Sequence, residues 1–248
     1  MLTDLPSGRL THSMRALLGL LITLCASLAW SWPSAADGLP EELTLRYSVQ
    51  LGSAKLGSLL TQLTRQSDHF RVESETRAEG VAAILLGGEV RETCEFEVDT
   101  NQIRPLSYEV AREGRKGYRR HAEFRWQSNQ VVFSSGEVAE IPNGYILDNC
   151  SVPFAFMLGG SEVFSQTALH IVGGRRIRNF EHISVTREEL KTPFGKIPSI
   201  RIEQRRTDNP TRKLIVWLAP SQHNLPVKMV EKRTSREVTM VLESVQGL

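Results

Sequence analysis

The sequence has 248 residues, 30 basic against 28 acidic, and a formal net charge of +2. A balance this close to neutral excludes a general nucleic-acid binder, which needs a basic surface to meet phosphates. The length suffices for one well-buried domain.

The first element in chain order is an export signal. Ala16 to Trp30, "ALLGLLITLCASLAW", is uncharged and mostly apolar, follows Arg9 and Arg15, and leads into the small residues Ser34, Ala35 and Ala36. A basic start, an apolar middle and a small-residue cleavage site are the order of a secretory signal. The apolar run is shorter than the roughly 20 residues a membrane span needs. Residues 1–36 are therefore read as a signal peptide, with Met1 or Met14 as the start, and residues 37–248 as a single exported domain. The expected location is the periplasm. No later run has similar apolarity, so no stable membrane span is expected after cleavage. Leu24 before Cys25 does not suit lipidation, which wants a small residue there.

Beyond the signal, period-two alternation dominates, the mark of half-buried strands. "LTLRYSVQL" sets Leu43, Leu45, Tyr47, Val49 and Leu51 against Thr44, Arg46, Ser48 and Gln50. "CEFEV" sets Cys94, Phe96 and Val98 against Glu95 and Glu97, and "HAEFRW" sets Ala122, Phe124 and Trp126 against His121, Glu123 and Arg125. "SIRIEQRR" sets Ile200 and Ile202 against Arg201 and Glu203. "KLIVWLA" is apolar on both faces, as a strand covered on both sides would be. Turn residues separate the runs, and "TPFGKIP" reads as a hairpin connection. The count is about a dozen strands, too many to stay flat and open.

Two segments break the alternation. "EGVAAILLGG", Glu79 to Gly88, is compatible with a short helix that includes Ile84, Leu85 and Leu86. "ILDNCSVPFAFMLGG" suits a helix starting at Asp148 or Ser151, with Pro153 in its first turn and Gly159 at its end. The expected fold is mainly β: a strongly curved antiparallel sheet forming a half-open barrel, with one or two short helices over its mouth.

Three motifs, in order, carry a resemblance: Thr192-Pro193-Phe194-Gly195, Trp217-Leu218-Ala219 and Leu225-Pro226-Val227-Lys228. Tyr47 to Val49, Gly57 to Leu59 and Arg104 to Tyr108 agree more loosely. Together they resemble the domain of unknown function 3108 family, and the resemblance spans nearly the whole exported part. It implies an exported, mostly β protein and carries over no catalytic residue. The architecture is similar to the half-barrels of periplasmic lipoprotein carriers, a likeness of fold that does not fix function.

No catalytic constellation is visible. There is no G-x-S-x-G elbow, and His69, His121, His170, His182 and His223 stand in no H-x-x-x-H spacing. His170 and His182 are placed to face each other across a hairpin, without enough further ligands for a metal. No cofactor, metal or catalytic residue is expected. Carboxylates alternate with arginines along the strands, which cross-strand pairing explains.

The remaining pointers are greasy and basic. Phe124, Trp126, Phe154, Phe156, Met157 and Trp217 are the expected lining of an apolar cavity. Basic clusters include Arg115, Lys116, Arg119 and Arg120; Arg175, Arg176 and Arg178; and Arg201, Arg205 and Arg206. Arg119, Arg120, Arg175 and Arg176 are the candidates for holding a headgroup at its rim. Cys94 and Cys150 form an even pair in a compartment that permits disulfides, and bridging them would add roughly 4 kcal/mol in the chain-entropy model. Free buried thiols are the alternative.

These features point to a non-catalytic envelope protein that binds an apolar or amphipathic ligand, a lipid or a lipid-anchored envelope component. Two other classes remain: an assembly scaffold acting through a surface patch or sheet edge, and an enzyme on envelope glycan or lipid.

Overall fold

The structure is a computed structural model that describes residues 38–80, 89–114, 117–161 and 168–248. The expected signal segment, the expected helical residues Ile84 to Leu86, Arg115 and Lys116 lie outside these residues.

Fifteen strands form one sheet. The first arm contains β1 (Glu42–Leu51), β2 (Ala54–Gln66), β3 (His69–Ala78), β4 (Val90–Asp99) and β5 (Gln102–Arg112). It continues with β6 (Tyr118–Arg125), β7 (Gln130–Phe133) and β8 (Val138–Glu140). The second arm contains β9 (Tyr145–Asp148), β10 (Leu169–Val172), β11 (Ile177–Thr192) and β12 (Gly195–Arg206). It ends with β13 (Lys213–Ala219), β14 (Leu225–Arg233) and β15 (Arg236–Gln246). Between the arms lies the helix α1 (Val152–Gly159), inserted after β9.

The strand order is β8-β7-β6-β5-β4-β3-β2-β1-β15-β14-β13-β12-β11-β10-β9. Chain neighbours pair as hairpins, except β9 and β10, which run parallel, and β8 and β9, which form the two opposite edges; at the middle β1 pairs with β15. Hairpin meanders favour antiparallel pairing; the parallel pair arises because α1 returns the chain from β9 to β10 in the same direction. The predicted hairpin closes with Thr192 opposite Gly195, leaving Pro193 and Phe194 as a two-residue turn.

Alternation produces the curvature because one face is mostly apolar. Leu43, Leu45, Leu63, Val72, Cys94 and Phe96 are almost fully buried on the inner face. Register shifts after Arg46, Val49, Glu95, His182 and Trp217 mark bulges that bend the strands. The sheet curls without closing. Near the seam β9 reaches β5, where the Ile103 N–H donates to Tyr145 Oη at 2.8 Å.

Three local expectations are corrected. Leu51 is exposed, because the chain already turns away at the end of β1. His170 lies opposite Asn179 and His182 opposite Gln204, so the two histidines do not face each other. Ser151 precedes α1 as expected, but its side chain caps no helical N–H; it binds back to Asp148 instead. Among the described residues no helix is long and apolar enough to cross a membrane.

A cavity between the two arms

Inside the curl lies a cavity of about 230 Å³. One wall comes from the first arm, with Leu59, Thr61, Ser74 and Glu92; the other comes from the second, with Ile171, Phe180, Leu214, Met229 and Met240. Asn149, Cys150, Val152 and Pro153, at the entrance to α1, close one end.

The walls are mostly apolar, and the polar groups gather in one chain. Arg178 Nη2 donates to Asn149 Oδ1. Asn149 Nδ2 donates to Tyr108 Oη at 2.9 Å and to Glu92 Oε1 at 3.3 Å. Tyr108 Oη in turn donates to Glu92 Oε1. Burial, with the Glu92 charge beside it, pushes the Tyr108 hydroxyl far above its ordinary range, so it remains a donor. Burial lowers the Arg178 pKa, while Glu231 and Tyr108 oppose the shift. Arg178 Nε is buried with no acceptor among the described residues. A guanidinium lacking an acceptor inside a protein is costly, and an anion beside it removes that cost.

Arg206, Arg212 and Lys213 also line the cavity. Arg206 is buried and binds Asp208, with Nε 2.8 Å from Oδ1. Lys213 Nζ donates to Glu203 Oε1 at 2.7 Å, and this contact, followed by that of Arg201, lowers the Glu203 pKa. Arg178 is therefore a cavity cation with unused donor capacity. Among the described lining residues there is no histidine, and the arrangement offers apolar walls beside a cation.

The sequence-predicted residues occupy other places. Phe154, Phe156 and Met157 are buried on α1 and fill the core, Phe154 against Phe96 at 6.1 Å between ring centres. Phe124 belongs to a second small cluster with Phe133, Ile141 and Ile146, and Trp126 packs on it and donates to the Pro105 carbonyl at 2.7 Å. Trp217 stands on the outer face, under Arg201 and Lys228, and donates to Glu188. None of these six borders the cavity.

Of the four predicted rim arginines, Arg119 pairs with Glu109 at 3.1 Å and Arg120 lies 4.0 Å over the Tyr118 ring. The turn that carries the exposed Arg175 and Arg176 packs close to Arg120: a Cβ on Gly174 would sit 2.7 Å from Arg120 Cβ. The seam thus brings Arg120 beside that turn, outside the cavity lining. Arg178 and Arg206 were visible in the basic clusters. Their signal was phase, since Arg178 alternates with Phe180, and Arg206 with Ile202 and Gln204.

Cys94 and Cys150 are both buried and are brought together with Asp148, with no bond between the two sulfurs in this structure. Burial pushes Cys94 up to about 12 and raises Cys150 well above the ordinary thiol range. Burial also pushes Asp148 up to about 6, held from rising further by its contacts with Ser151 and the two cysteines.

Among solved structures, the chain is similar to a β-barrel-like protein of domain of unknown function DUF1849 from Brucella abortus. The identity is 11%, the match covers 84% of this chain and 98% of that one, and the TM-score is 0.52. At this identity the likeness shows the fold alone. No curated protein matches the sequence. A family model described as protein of unknown function (DUF3108) matches residues 46–243, and the chain belongs to that family.

Proposed function

We propose that this is an exported, periplasmic, non-catalytic protein that binds a small amphipathic anion in the cavity between its arms. The observation that carries the reading is the pairing of apolar walls with the buried guanidinium of Arg178, whose Nε lacks an acceptor among the described residues. An acyl chain would lie along Leu59, Leu214, Met229 and Met240, gaining about 0.8 kcal/mol per buried methylene. Its carboxylate or phosphate would face Arg178. The 230 Å³ volume is below the range of about 300–1,000 Å³ typical of drug-sized sites. A single short chain suits it, and a diacyl lipid does not. Export is supported by the basic, apolar and small-residue order of the first 36 positions.

Calorimetric titration of the purified protein with octanoate, octyl phosphate and octanol tests the reading. The two anions are expected to bind at least about tenfold more tightly than octanol, roughly one charge-assisted contact. Met240→Trp, which fills the cavity, is expected to abolish binding with the sheet intact by circular dichroism. Failure of all three probes, or unchanged binding by Met240→Trp, overturns it. Fractionation of cells expressing the full chain tests the location; retention in the cytoplasm would sink the export part alone.

A further inference from the structure

Sγ of Cys94, Sγ of Cys150 and one carboxylate oxygen of Asp148 lie within 4.8 Å of one another, all three residues fully or almost fully buried. Cys94 belongs to β4, in the first arm; Cys150 sits in the turn between β9 and α1, in the second. The two sulfurs are thus no more than 4.8 Å apart. A pair of thiols from distant parts of a chain, meeting inside a core, can close into one bond or hold one metal ion. Only three donor atoms converge here among the described residues. That is one short of a closed tetrahedral zinc site. A thiol pair needs no further ligand to bridge; it needs only that the two sulfurs close from within 4.8 Å to a bond of about 2.05 Å.

We propose that Cys94 and Cys150 are joined by a disulfide that ties the entrance of α1 to β4. The oxidant is a second disulfide, R–S–S–R, of a small molecule or an exchange enzyme, meeting the chain while the sheet is still open. One cysteine thiolate attacks R–S–S–R, forming a mixed disulfide and releasing R–S⁻. The other attacks the cysteine sulfur of that intermediate, forming the Cys94–Cys150 bond and releasing the second R–S⁻. The cysteines lose two electrons and two protons, and R–S–S–R gains both as two R–SH molecules. Closure of the sheet then buries the bond away from reductants. Because Cys150 borders the cavity, the bond also fixes one end of that cavity. The inference does not depend on what the cavity holds.

The test uses the full chain with Cys25→Ser, so that only the two cysteines in question remain. The protein is reduced and unfolded, refolded in a mixture of reduced and oxidised glutathione, then denatured and alkylated. The expected result is no alkylation at Cys94 or Cys150 and a pair of proteolytic peptides linked through them, separated by reductant. Alkylation of either residue, or glutathione attached to either, overturns the proposal. A parallel sample refolded with zinc decides against the metal alternative. One zinc per chain that survives the glutathione mixture, with both cysteines alkylated only after chelation, would overturn the disulfide in favour of a Cys94–Asp148–Cys150 metal site. The same alkylation on protein purified without unfolding, then partly opened in urea together with oxidised glutathione, gives the decision independently of refolding yield.

Discussion

The Tyr47 hydroxyl donates a 3.0 Å hydrogen bond to the Pro226 carbonyl, tying β1 to β14 across the intervening β15. The contact sits on the inner face where the bulge after Trp217 shifts the register. Tyr47 is 1% exposed, and burial raises its hydroxyl far above the ordinary range, so it stays a donor at any working pH. Tyr47→Phe removes the donor and leaves a carbonyl in an apolar setting. Urea denaturation is expected to show a loss of about 1–3 kcal/mol with an unchanged slope.

Trp217 and Met240 separate the outer face from the inner. Trp217→Phe loses the contact with Glu188 and weakens the cation–π stacking of Arg201 and Lys228. A stability loss of about 1–2 kcal/mol is expected. Octanoate affinity should be unchanged, because Trp217 does not border the cavity. A change in affinity for Trp217→Phe, measured by calorimetry, would place the ligand on the other side of the sheet.

Asp148 makes stability depend on pH in an uncommon direction. Its folded pKa is about 6, against an unfolded value near that of a free aspartate, so the folded state binds the extra proton between these values. Stability from this group is therefore full at low pH and falls as pH rises through about 6. Asp148→Asn keeps an acceptor for the N–H groups of Cys150 and Ser151, bonded at 2.9 and 3.0 Å in the native protein, and cannot ionise. The difference in unfolding free energy between variant and parent should grow in the variant's favour from pH 4 to pH 8, by on the order of 1–3 kcal/mol. A flat difference across that range contradicts the assignment.

Gly57 marks the tightest backbone approach in the first arm. A Cβ there would lie 1.9 Å from the Arg77 carbonyl oxygen. The clash is with backbone, which cannot swing aside, and the register shift after Val49 lies directly opposite. Gly57→Ala should cost more than about 2 kcal/mol, at the upper end for single substitutions. Ser58→Ala, next to it, serves as the mild control in the same thermal melt.

The proposed Cys94–Cys150 bond should appear as stability too. Reduction of the bridged protein is expected to lower its unfolding free energy by about 4 kcal/mol in the chain-entropy model. Comparing guanidinium midpoints with and without reductant measures it, and Cys94→Ser with Cys150→Ser should match the reduced protein.

Alternation made most strands legible, and the motif around Pro193 and Phe194 located its hairpin. What stayed hidden was long-range. Nothing local says that Thr44 lies opposite Gln246, or that β9 runs parallel to β10, because pairing of distant strands leaves no periodic trace. The sequence expectation places Phe154, Phe156 and Met157 in a cavity wall, yet composition cannot distinguish a cavity wall from a plug. Phe154 and Phe156 proved to be the plug. Arg178 is the instructive case: it lay in a basic cluster, but it falls inside β11 in phase with Phe180, whereas the exposed Arg175 and Arg176 lie in the turn before that strand.

The pairing of β1 with β15 also bears on when the protein can fold. The centre of the sheet joins the first strand to the last, so it cannot assemble until translation has delivered the final residues. Contacts of such high sequence separation form slowly. The central β1–β15 ladder would thus be the last part of the sheet to form, and until then both of its strands keep an unpaired edge.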